Sequence, residues 1–96
     1  MTLDLLEYND TLASALRERT KIREAFQLEG LAFCNNHDDA RRVLAHLKTL
    51  GMTYDTMAKN AKCHPGNFAT WRTHADQRPR DGDRAVQWLN NVMLSQ

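Results

Sequence analysis

Cysteines, histidines and paired carboxylates come first, because they hold metals, attack carbonyls and move protons. Cys34 and His37 stand three apart, and Cys63 and His64 are neighbours. Those four side chains can be drawn around a zinc ion. Adjacent ligands seldom converge on one tetrahedral ion, however, and no second short-spaced pair supports them, so no metal is expected. Two cysteines far apart in an intracellular chain are more often free thiols than a disulfide. Cys63 reads as a small buried apolar residue, and His37 and His46, nine apart, read as surface residues. Asp81 and Asp83 bracket Gly82, where a helix N-terminus explains them better than acid–base work does. No nucleophile–base set and no phosphate-cradling glycine loop is present, so neither enzyme activity nor a cofactor is expected.

The remaining chemistry is recognition. Net charge is only +1, but it is unevenly spread. Residues 1–36 carry six acids and four bases, whereas residues 37–96 carry six acids and nine bases. Between residues 52 and 80 only Asp55 and Asp76 oppose Lys59, Lys62, Arg72, Arg78 and Arg80. Local positive charge is what docking on phosphates requires. The best-supported cluster is therefore Lys62, Asn67, Thr70, Arg72, Arg78 and Arg80, while Arg41-Arg42 reads as a solvated face.

These side chains need a scaffold, and the 96 residues suffice for one small domain. No stretch alternates as a strand would, and no apolar run approaches the roughly 20 residues of a membrane span. The start, Met1-Thr2-Leu3-Asp4, lacks a basic segment followed by an apolar core, so a cytoplasmic protein is expected. Helical spacing runs from about Thr2 to Glu29, with Asn9-Asp10-Thr11 a candidate break. Asn36 caps the next helix, Asp38 and Asp39 suit its first turn, and Gly51 ends it. Thr53 caps a short helix from Tyr54 to Ala61. Pro65 opens another that runs to about His74, proline being favoured at the first helical position. A basic loop containing Pro79 precedes a last helix starting near Asp81, and Phe68, Trp71 and Trp88 read as core.

Two short helices joined by a tight turn suggest a helix-turn-helix. From Thr53 to His74 the chain resembles the lambda-repressor/Cro-like family. Small Ala58 sits where that family crosses its motif helices, Lys62 where its turn usually has glycine, and Cys63 where an apolar residue follows. His64 stands at the usual cap, with Phe68 and Trp71 at the packing positions of the second helix. The preceding helix and the basic loop extend the likeness over about residues 36–94. It implies an all-α fold: a small helical bundle with a helix-turn-helix, residues 36–96, plus an N-terminal helical extension, residues 1–35. It also implies a DNA-binding transcriptional regulator, a dimeric repressor of phage, plasmid or mobile-element type, reading double-stranded DNA through helix 65–74.

By the same resemblance His64, Asn67 and Thr70 face bases. Thr53, Tyr54, Lys62, Arg72, Arg78 and Arg80 hold phosphates. Pro65 and Gly66 depart from the pattern, standing where the family places long base-reading side chains, and neither donates a side-chain hydrogen bond. The stripe Leu5, Tyr8, Leu12, Leu16, Ile22 and Phe26 is the expected homodimer or partner contact, the alternative being that it folds onto its own chain. A second functional reading is a non-catalytic protein-binding module that uses the same scaffold to inhibit or adapt a partner, contacted through residues 1–36.

Overall fold

The computed structural model describes residues 2–74 and 76–95 and, in the first helix, the side chains from Leu16 onward. The described residues form five helices and no strand: α1 (Thr2–Glu29), α2 (His37–Thr49), α3 (Tyr54–Ala61), α4 (Pro65–Thr73) and α5 (Pro79–Leu94). The protein is thus an all-helical bundle. Asn9-Asp10-Thr11 does not split α1, which runs through as one helix.

Local chemistry sets the boundaries. Asn36 caps α2 by accepting the Asp39 N–H at 2.9 Å, while the Asp39 carboxylate accepts the Asn35 N–H at 2.9 Å. One orphan donor of the first turn and the N–H just ahead of the cap are satisfied in this way. Thr53 caps α3 by accepting the Thr56 N–H at 3.2 Å. At α4 the His64 ring does the same for the Gly66 N–H at 3.2 Å, with Pro65 in the first helical position.

Three helices end alike. Past α1, Gly30 takes φ +73° and the Leu31 N–H reaches back to the Phe26 carbonyl at 3.0 Å. Past α2, Gly51 takes φ +101° and Met52 reaches Leu47 at 3.0 Å. Past α3 the left-handed residue is Lys62, φ +62°, and Cys63 reaches Ala58 at 2.8 Å. Glycine suits the left-handed position because it has no Cβ to clash with the following carbonyl; lysine adopts it at a cost.

Helix α5 begins at Pro79, two residues before the expected start, because proline's fixed φ and missing N–H suit the first turn. Arg78, just ahead of it, is left-handed at φ +56°.

One core joins all five helices. Ile22, Ala25 and Phe26 of α1 share it with Val43, Leu44 and Leu47 of α2, Met57 and Ala58 of α3, Phe68 and Trp71 of α4, and Ala85 and Leu89 of α5. Helix α1, within the expected N-terminal extension, thus shares its core with the helices that follow. Ile22 and Phe26, expected at a dimer or partner contact, are 1% and 0% exposed and are consumed by packing within the chain. The fold-back alternative is what the lower half of α1 does. Leu16 is exposed, and the side chains of Leu5, Tyr8 and Leu12 lie outside the described residues.

Polar pairs lock the helices together. His37, expected on the surface, meets Asp83 of α5 at 2.7 Å, and His46 meets Glu29 of α1 at 2.8 Å. Arg41 is not a solvated residue either: its side chain is 17% exposed, it pairs with Asp38 at 2.9 Å, and its guanidinium lies 4.9 Å from the Trp71 ring centre. Asn90 of α5 clamps the segment between α1 and α2, accepting the Cys34 N–H at 2.8 Å and donating to the Cys34 carbonyl at 2.9 Å. Gly82 is the closest approach. A Cβ there would stand 2.6 Å from His37 Nδ1 and 2.7 Å from Trp71 Nε1, so only glycine lets α5 lie against those rings.

Candidate nucleic-acid interface

Helices α3 and α4 are joined by three residues, Lys62, Cys63 and His64. Fully buried Ala58 lets them pack closely, and Phe68 and Trp71 turn α4's inner face into the core, their rings 5.4 Å apart. The opposite side of α4's first turn faces out: His64, Pro65 and Gly66 are exposed, and Asn67 and Thr70 half-buried.

Of the expected base-facing residues, His64 doubles as the cap. Its Nδ1 accepts the Gly66 N–H, which places the neutral ring's proton on outward Nε2. The Asn67 amide makes no side-chain hydrogen bond among the described residues, so its donor and acceptor are both uncommitted. The Thr70 hydroxyl donates to the Gly66 carbonyl at 3.0 Å, which leaves it an acceptor and a methyl group to offer.

The expected phosphate contacts divide. Thr53, Lys62, Arg78 and Arg80 are exposed. Tyr54 is half-buried, with Lys48 Nζ 4.5 Å and the Arg72 guanidinium 5.3 Å from its ring centre. Arg72, expected on a phosphate, does not reach outward. It turns inward, donating from Nη1 to the Arg41 carbonyl at 3.4 Å, and burial lowers its pKa from the usual arginine range. It lies over the Tyr54 ring and braces α4 against α2 and α3, because an arginine in the last turn of a short packed helix can satisfy its stem and head on the neighbouring helices.

The surroundings of both thiols disfavour thiolate. Burial, with Asp39 adding, pushes Cys34 up to about 12, and burial, with Asp81 adding, pushes Cys63 up to about 11. Both are protonated at neutral pH, when thiolate is the nucleophile and metal ligand. Among the described residues no three His, Cys, Asp or Glu side chains are grouped to hold a metal, and no helix is long and apolar enough to cross a membrane.

Sequence reasoning missed Arg84. It donates from Nη1 to the Lys62 carbonyl at 2.8 Å and so ties α5 to the α3–α4 turn. Nothing in its local pattern marks it, since the partner is a backbone atom 22 residues away. Trp88, read as core, is half-buried at the core's edge. No protein-family model, curated protein or solved structure matches this chain.

Proposed function

We propose that the protein is a DNA-binding transcriptional regulator, a repressor that acts as a homodimer and lays α4 in the major groove. The observation that carries this reading is the outward first turn of α4, with Asn67 uncommitted, Lys62 before it, and Arg78 and Arg80 after it. An amide with free donor and acceptor matches the N6/N7 edge of adenine, and His64 Nε2–H adds a donor. Lys62, Arg78 and Arg80 neutralise backbone phosphates and set the docking register, while the Thr53 hydroxyl already donates to Thr56 Oγ1 at 3.0 Å. Pro65 and Gly66 add no side-chain hydrogen bond and Thr70 has spent its proton, so direct readout is thin and DNA shape supplies part of the specificity. One such helix buries too little surface for useful selectivity, which favours two copies on half-sites about one helical turn apart. Exposed Leu16 of α1 is the part of the expected stripe left for pairing among the described side chains.

The test is fluorescence anisotropy with a labelled duplex of random sequence, titrated with salt. Log affinity is expected to fall linearly with log salt, and Arg78→Ala with Arg80→Ala to reduce the slope by about one each on every sequence. A slope indifferent to both arginines would remove them from the interface.

The second reading, a protein-binding module, is favoured by the thin base-reading set and by exposed Leu28, Phe33 and Leu94. Absence of DNA binding at low salt would select it.

A further inference from the structure

We propose that a cleft of about 360 Å³ behind the α3–α4 turn binds a small organic phosphate of mononucleotide size. Three cations from three elements line it: Arg19 of α1, Lys62 of the turn and Arg84 of α5. No carboxylate is among its lining residues. The neighbouring acid, Glu18, accepts from Asn60 Nδ2 at 3.2 Å. Arg84 is fixed by the Lys62 carbonyl at 2.8 Å and also faces the Cys63 thiol, contacts that leave part of a guanidinium's five N–H donors for an anion. An anion entering the cleft thus meets a pre-positioned fork.

The rest of the lining has a different character. The half-buried Trp88 indole stands with Ala61 and Val92 as an apolar wall, suited to the face of a flat ring. Asn60 and Asn91 supply amides that can donate to or accept from a ring's polar edge. A cationic end beside an aromatic wall, at a volume near the lower limit for ligand sites, fits a single phosphate-bearing ring.

The larger cleft, about 730 Å³ at the start of α2, lacks this character. Its Arg41 is paired with Asp38 at 2.9 Å and its His37 with Asp83 at 2.7 Å, and Asp76 adds a further acid. Its positive groups already face carboxylates, so it does not attract an anion. The smaller cleft needs no DNA contact to form, so it stands independently of the regulator reading.

The experiment is calorimetric titration of the full chain, without DNA, using adenosine monophosphate, adenosine and inorganic phosphate as separate probes. The nucleotide is expected to bind saturably at one site per chain, with affinity falling as salt is added. Arg19→Gln and Arg84→Gln are each expected to weaken it by about tenfold, the loss of one charge-assisted hydrogen bond. Arg19 is exposed, so its variant keeps the fold even where Arg84→Gln loosens the turn. No saturable heat, or an affinity unchanged by Arg19→Gln, overturns the site. Inorganic phosphate binding as tightly as the nucleotide overturns the role given to Trp88.

Discussion

The seam between α1 and α2 and the outward end of α4 are both polar, and they use that polarity in opposite ways. At the seam, Glu29 meets His46 at 2.8 Å and Arg42 at 3.3 Å, and Arg42 reaches on to Asp39 at 2.6 Å. Each group there is another's partner. By contrast, the side chains of Asn67 in α4, Lys62 in the turn before it, and Arg78 and Arg80 at the start of α5 have no hydrogen-bond or ion-pair partner among the described residues. Polar side chains that answer one another hold helices in place. Those without an internal partner, set on a rigid frame, are available to something outside the chain.

The comparison breaks first if the seam is not structural. Phe26→Ala empties a fully buried site beneath it and should cost about 3–5 kcal/mol, read as a lower urea midpoint at an unchanged slope. A loss well under that range would make α1 an appendage whose seam contacts are incidental.

Acid titration probes the same seam more gently. The Asn35 N–H, and then Arg42, hold the Asp39 carboxyl below the usual aspartate range. A depressed folded pKa contributes stability that is full above the unfolded value and is lost as pH falls toward the folded one. Stability should therefore decline below about pH 4, and Asp39→Asn should flatten that acid limb while lowering stability at neutral pH. An acid limb as steep in the variant as in the parent would assign the decline to other carboxylates.

The smallest effect sharpens the contrast. Lys62→Gly relieves a left-handed lysine and should stabilise the fold by roughly 1 kcal/mol or less. The same change should lower the salt slope of DNA binding by about one. A variant both more stable and weaker on DNA would show lysine retained there for its charge. A variant that binds DNA as tightly as the parent would take Lys62 out of the interface.

What was legible in the sequence was local. Asn36, Thr53, Gly51 and Pro65 mark boundaries through bonds spanning a few residues, and each boundary lies where those residues place it. Lys62, where the resemblance expects glycine, takes the positive φ a glycine adopts more readily. The pairs that fix tertiary arrangement span 56 residues for Cys34 and Asn90, 46 for His37 and Asp83, and 42 for Glu18 and Asn60. Periodicity tells which face of a helix is buried, not which helix covers it. That is why Ile22 and Phe26 read equally well as a dimer stripe or as core. Arg72 shows the same limit at the site, since helical position leaves open whether a long cation reaches out or folds back.

The Asn90 clamp also gives the molecule a load path. The strap between α1 and α2 is bolted at its middle, on both sides of the Cys34 peptide, to α5. Tension on α1 therefore passes into α5 instead of being taken up as slack. Helix α5 carries Arg84 on the Lys62 carbonyl, so the same beam ends at the turn that sets α4. Stretched by its two ends, the chain should yield first at a lower force once Asn90→Ala removes the bolt; an unchanged first step would show the strap bearing no load.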